Sequence, residues 1–162
     1  MSRVNKPRAK SPRRPYKPRY APGYMLLGTQ RDKIATPAHI ALNAMELGHG
    51  TEESRHALAG FLNITSVLAA RMQTVTTETR TAMDAAKHAL VSSDRRFLRS
   101  GSWGLSGREM VAIRLGVTLG DQLLKRANSQ MLIAAIGFCL KANSKSSEVL
   151  GTVREPMGAA TC

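Results

Sequence analysis

The sequence predicts an all-α protein: a four- to five-helix bundle built from αα-hairpins, with a disordered basic N-terminal arm and a short flexible C-terminal tail. Three observations point there. Apolar residues recur at three- and four-residue spacing through most of residues 36–142, the period of helices that bury one face. Helix start and stop residues punctuate that pattern. No stretch alternates β-branched with polar residues long enough for a strand, and no internal repeat marks a solenoid. The organisation read from this is an arm over 1–23, a helical domain over 24–142 and a tail over 143–162.

The arm holds eight cations and five prolines (Pro7, Pro12, Pro15, Pro18, Pro22). Proline removes hydrogen-bond donors and like charges repel, so extended, polyproline-like segments are expected in place of helix or strand. Residues 24–35 are a transition without clear periodicity. Thr36 is a candidate N-cap, and Pro37 suits the first helical position, where its missing N–H is not needed. Ile40, Ala41, Ala44, Met45 and Leu47 make the expected apolar face, and Gly48-His49-Gly50 stops the helix. Thr51 opens a second helix whose Glu52 and Glu53 favour the helix dipole. Its stripe is Leu58, Phe61, Leu62, Thr65, Leu68 and Met72, and the short glycine-containing link makes the pair a hairpin.

A third helix is expected over about 75–91, with Val75, Thr79, Ala82, Met83, Ala86 and Leu90 on one side. Ser92-Ser93-Asp94 weakens it there, although Arg95 to Arg99 can continue or cap it. Ser106-Gly107-Arg108-Glu109 matches the capping box, with Leu105 and Met110 at the two positions of a hydrophobic staple. Ile113, Val117 and Leu124 follow, widened by Leu115, Leu119 and Leu123. Ala127-Asn128-Ser129 is a candidate break, with Ser129 capping a last helix to about Ala142. Residues 143–162 are small and polar, as expected of a loose tail.

Charge is the main functional signal. The chain carries 24 Lys and Arg against 11 Asp and Glu, a formal net charge of +13 over 162 residues. Arg3, Lys6, Arg8, Lys10, Arg13, Arg14, Lys17 and Arg19 give the arm +8 with no acid, and the remaining 139 residues carry only +5. Cations that neutralise phosphates release counterions, a gain that needs no fold and fades with salt. Tyr16 and Tyr20 interleave with the arm cations and suit stacking on exposed bases. Arg95, Arg96 and Arg99 form a second candidate cluster. A solvated tail, or one that meets an acidic protein, is the plainer alternative.

The sequence has seven aromatic residues, so the core must come from Leu, Ile, Val, Met and Ala. That composition permits a homodimer without demanding one. Cys139 lies in an apolar run and Cys162 is the last residue. Neither belongs to a disulfide framework, which suits a reducing cytoplasm. No secretory signal is visible, and the most apolar segment, Met131–Leu140, is too short to cross a bilayer.

Catalytic and metal-binding patterns do not assemble. His39, His49, His56 and His88 show no spacing that places two ligands on one helical turn. Gly101–Gly107 is glycine-rich without the phosphate-loop or dinucleotide spacing. Glu52-Glu53 lacks a His or Lys partner at a defined distance. We therefore expect no enzyme, no cofactor and no metal. A helix-turn-helix reading of 37–72 fits Ala44 and Gly48 but requires an apolar residue where Ser54 stands, so non-specific contact with DNA or RNA fits better than major-groove readout.

Pro18-Arg19-Tyr20 leading into Ile40-Ala41-Leu42-Asn43-Ala44-Met45, and the hairpin end Phe61-Leu62-Asn63-Ile64-Thr65-Ser66-Val67-Leu68-Ala69, resemble small, uncharacterised helical proteins of proteobacterial phages, prophages and plasmids. The resemblance extends through Leu105-Ser106-Gly107-Arg108-Glu109 and covers roughly residues 18–142. It implies a mobile-element origin and a bacterial cytoplasm, and brings no activity or functional residue with it. The expected function is an accessory nucleic-acid-binding protein. The alternatives are an inhibitor or adaptor that docks its helices on a host or phage complex, and a component of a ribonucleoprotein or virion assembly.

Overall fold

The computed structural model describes residues 28–101 and 103–151, with side chains as far as Asn143. Five helices follow in order: α1 (Gly28–Glu46), α2 (Glu52–Arg71), α3 (Thr77–Ser100), α4 (Gly107–Arg126) and α5 (Ser129–Gly151). α2 is the hub and packs on each of the other four, while α3 lies along α4 and α1 also meets α4. The sequence explains that centrality. Leu58, Phe61, Leu62, Thr65 and Leu68 recur at three and four residues, and all five are buried, so a broad stripe of α2 is covered. Met83, Ala86 and Leu90 of α3, Ile113, Val117 and Leu124 of α4, and Ala38, Ala41 and Met45 of α1 close around it. Leu132 and Ala135 bring α5 onto the same core.

Several helix ends form as expected. Gly48 adopts φ +79°, the left-handed conformation that favours glycine. Thr51 caps α2 by accepting from the Ser54 N–H. At α4 the Ser106 hydroxyl accepts from the Glu109 N–H at 3.4 Å, and Glu109 Oε2 accepts from the Ser106 N–H at 2.6 Å.

Four expectations need correction. α1 begins at Gly28, so Pro37 lies inside the helix and Thr36 caps nothing. An interior proline removes the N–H that would bond the Lys33 carbonyl, usually at about 3 kcal/mol. Here Pro37 and Lys33 lie on the exposed side of the helix, while Ile34 and Ala35 pack on the core. Ile40 and Leu47 are largely exposed, and the buried face is Ala38, Ala41, Leu42 and Met45. α3 continues through Ser92-Ser93-Asp94 to Ser100, for tertiary reasons. Ser93 is fully buried with its hydroxyl donating to the Leu90 carbonyl at 2.8 Å, and Asp94 accepts two hydrogen bonds from Arg55 of α2 at 2.9 and 2.6 Å. Last, Asn128 in place of Ser129 caps α5, its Oδ1 accepting from the Met131 N–H at 2.8 Å. The backbone of α5 runs on to Gly151, past the expected end at Ala142.

Two glycines of α4 set how closely its neighbours approach. A Cβ on Gly116 would overlap Ala86 of α3, and one on Gly120 would overlap the Phe61 ring of α2. Gly120→Ala is therefore expected to destabilise the bundle by about 1–3 kcal/mol through overpacking, despite a helix-propensity gain near 1 kcal/mol. Gly60 is exposed with open space around it, so Gly60→Ala is expected to stabilise by about 0.5–1 kcal/mol. Urea midpoints of the two variants measure the contrast.

Candidate nucleic-acid interface

The residue with which the described chain begins, Gly28, has its place set by two polar rungs between α1 and α4. His39 Nε2 meets Asp121 Oδ2 at 2.8 Å, and Arg114 Nε donates to Glu46 Oε1. Because 39 pairs with 121 and 46 with 114, the helices run antiparallel, and the start of α1 lies beside the end of α4. A cleft of about 300 Å³ there is lined by Gly28, Arg31, Asp32, His39, Asp121 and Lys125, among others. The arm, residues 1–23, lies outside the described residues, but residue 28, to which it leads, is fixed at this end.

Further cations gather at the same end. Arg126, next to Lys125, donates to Thr74 Oγ1 at 3.0 Å, and Arg80 of α3 donates to the Met72 carbonyl at 3.4 Å. Arg71 occupies the last turn of α2, beside that α2–α3 turn. Arg31, Arg71, Arg80, Lys125 and Arg126 thus come from four helices to one end of the bundle. Asp32, Glu78 and Asp121 are the acids interspersed there. Glu78 is engaged at the N-terminus of α3, where its own backbone N–H and the Thr76 hydroxyl hold its carboxyl below the usual value.

The sequence-predicted cluster on α3 divides. Arg95 and Arg99, four residues apart, are exposed on the outer side of the helix beside Val91 and Leu98. Arg96 points the other way. Its Nη2 donates to both carboxylate oxygens of Glu109 at 2.7 Å, and its Nη1 donates to the Gly104 carbonyl. Burial pushes the Glu109 carboxyl up, but hydrogen bonds from Arg96 and Ser106 outweigh it and hold the group below its ordinary value. Arg96 therefore locks the α3–α4 connection. The Phe97 and Trp103 rings stack on the same connection, 4.1 Å apart and 9° from parallel. Gly50 lies against the Trp103 carbonyl with no room for a Cβ. Arg95 and Arg99 are carried at the far end of α3 from Arg80, about 23–29 Å away at 1.5 Å per residue. Arg3, Lys6, Arg8, Lys10, Arg13, Arg14, Tyr16, Lys17, Arg19 and Tyr20 all lie outside the described residues.

Other candidates separate in space. No group of three metal-ligating side chains occurs among the described residues. His49, His56 and His88 are exposed, and His56 lies 3.9 Å from Glu52. Ser54 is half-buried and takes part in capping α2. Burial pushes the Cys139 thiol up, away from the nucleophilic thiolate. A broad groove of about 660 Å³ between α1 and α2 is lined by Pro37, Ile40, Ala41 and Ala57, with Asp32, Lys33 and Glu53 also on its walls and no histidine or cysteine. Among the described residues no helix is long and apolar enough to cross a membrane.

Sequence reasoning missed the arm-proximal cluster because its members come from four helices. Only the adjacent Lys125-Arg126 pair at a helix end hinted at it. No protein-family model, no curated protein and no solved structure matches this chain.

Proposed function

We propose that this protein is a non-enzymatic accessory nucleic-acid-binding protein of a mobile genetic element, in which the arm contacts phosphates and the bundle adds a basic end beside it. Charge segregation carries this reading: eight of the 24 cations lie within residues 1–23, which hold no acid. The folded part supports it, because Lys125, Arg126, Arg80 and Arg71 gather at the end from which α1 starts. The arm and this end then make one continuous polyanion footprint. Arg95 and Arg99 offer a separate contact at the far end. The mobile-element origin and a bacterial cytoplasm rest on the resemblance of residues 18–142 alone.

Such contacts are sequence-tolerant, since phosphates carry no base information. Each cation that neutralises a phosphate adds about 0.9 to the slope of log affinity against log salt on duplex DNA, and about 0.7 on single strands. Fluorescence anisotropy on a random-sequence duplex tests the footprint. Arg71→Ala with Lys125→Ala is expected to lower the slope by about 1.8 on duplex DNA. Arg95→Ala with Arg99→Ala is expected to lower it by less. Equal slopes for the intact chain and both double variants would confine contact to the arm and remove the bundle from the proposal. Purification from the host with and without nuclease separates the alternative reading: a protein that stays bound in fixed ratio after nuclease treatment points to an adaptor.

A further inference from the structure

We infer that the groove between α1 and α2 is the docking site of the arm's own stem, residues 20–27, and that nucleic acid competes with this contact. The groove opens at Thr29, next to the residue where the stem joins α1, and follows one face of that helix through Lys33 and Pro37 to Ile40. Ile40 is 65% exposed there, and Ala57 of α2 adds to the apolar wall. The start of α2, joined by a short turn to the end of α1, brings the exposed Glu53 to the groove, with Glu52 beside it.

Three features select the stem as the occupant. The first is composition. Tyr20-Ala21-Pro22-Gly23-Tyr24-Met25-Leu26-Leu27 carries no charged side chain, which suits a groove lined by Pro37, Ile40 and Ala57. The second is reach. Ile40 lies about 18 Å from Gly28 along α1, at about 1.5 Å per residue. Tyr24, four residues before Gly28, reaches about 13–14 Å, level with Pro37, and Tyr20 reaches beyond Ile40. The third is charge. A stem running back along α1 brings Arg19 and Lys17 to Glu53 and Glu52 in the first turn of α2. Residues 1–23 hold no acid, so every charge the arm carries there is of the attracting sign.

The docked stem directs the arm's cations to the start of α2, at the opposite end of the bundle from Lys125 and Arg126. A continuous footprint with that basic end therefore requires release of the stem. Phosphates compete with Glu52 and Glu53 for Lys17 and Arg19, and bases compete with Pro37 and Ile40 for the two tyrosines. The docked fraction lowers the apparent affinity in proportion. This competition rests on the nucleic-acid reading above, and the docking itself does not.

Disulfide trapping in nuclease-treated full-length protein is the test, in a Cys139→Ser, Cys162→Ser background and at about 1 µM so that bonds form within one chain. Ala21→Cys leaves both tyrosines in place, and it is paired with Ile40→Cys in the groove or with Lys125→Cys on α4. Because His39 is level with Asp121, Lys125 is level with residue 35, about 10 Å along α1 and about 8–10 Å across. That is closer to Gly28 than Ile40 is, so a free arm meets position 125 at least as often. Ile40 and Lys125 are both exposed, and their substitution leaves the core in place. The 21–40 bond is expected to form at least about fivefold faster than the 21–125 bond. Equal rates, a faster bond to 125, or a 21–40 bond formed only between two copies overturns the docking. A saturating random-sequence duplex should slow the 21–40 bond severalfold, and an unchanged rate in the saturated complex overturns the competition. The first comparison contains no nucleic acid, so docking can fail while nucleic-acid binding stands, and the reverse.

Discussion

Deleting residues 2–22 is expected to lower affinity for nucleic acid by at least about a hundredfold at low salt and to flatten its salt dependence. With six to ten phosphate contacts, the intact chain should lose roughly 10³–10⁵ in affinity between about 50 and 200 mM salt. The truncated chain, left with about two contacts on the bundle, should lose only about tenfold over the same range. The asymmetry follows from composition. The deletion removes Arg3, Lys6, Arg8, Lys10, Arg13, Arg14, Lys17 and Arg19 and no acid, and leaves a body with net charge +5. Four cations of that body, Arg55, Lys87, Arg96 and Arg114, are in turn engaged by acids. Truncation does not touch the described core, so circular dichroism and the urea midpoint should change little.

Arg96→Ala should give the largest loss of stability among the basic substitutions, about 2–3 kcal/mol, with little change in nucleic-acid affinity. The Glu109 side chain is only 12% exposed and its partner Arg96 is 33% exposed. Removing the guanidinium leaves a poorly hydrated carboxylate held, among the described residues, by Ser106 alone, and the Gly104 carbonyl loses the Arg96 donor as well. Breaking a buried ion pair costs about 3–5 kcal/mol, and partial exposure of Arg96 reduces that here. Arg95→Ala, one residue away and exposed, should stay within about 0.5 kcal/mol. Urea denaturation of the two variants separates them.

The same group gives the fold an acid dependence. Glu109 is held below its ordinary value of 4.5 in the folded state. Between the folded and unfolded values the unfolded chain binds more protons, so stability rises with pH through that window. The contribution is present above the unfolded value and disappears as pH falls through the folded one. Glu46, lowered chiefly by its hydrogen bond from Arg114, acts in the same direction. Glu109→Gln should therefore show a shallower loss of stability on acidification than the unmodified chain.

The fold was largely legible because its strongest signals are local. The capping box at Ser106–Glu109, the Thr51 cap and the six-residue stripe of α2 each need only neighbours in sequence. What escaped depends on distant partners. Ser92-Ser93-Asp94 reads as a break until Arg55 of α2 and the buried face of Ser93 are in place. Pro37 reads as a helix start until Ile34 and Ala35 have a core to pack on. The candidate interface was legible only in its charge. Three arginines at 95, 96 and 99 look alike in sequence, and only the position of Glu109 separates the structural one from the exposed pair. The arm-proximal cations could not be grouped at all before α1 and α4 were known to run antiparallel.

The central claim is that this chain binds nucleic acid through phosphates. The most direct measurement is the affinity of the intact, nuclease-treated protein for a random-sequence duplex as a function of salt. The account expects tight binding at low salt and a log–log slope of about −5 to −9, the value for six to ten neutralised phosphates. Absence of binding at about 50 mM salt, or affinity that does not change with salt, would contradict it.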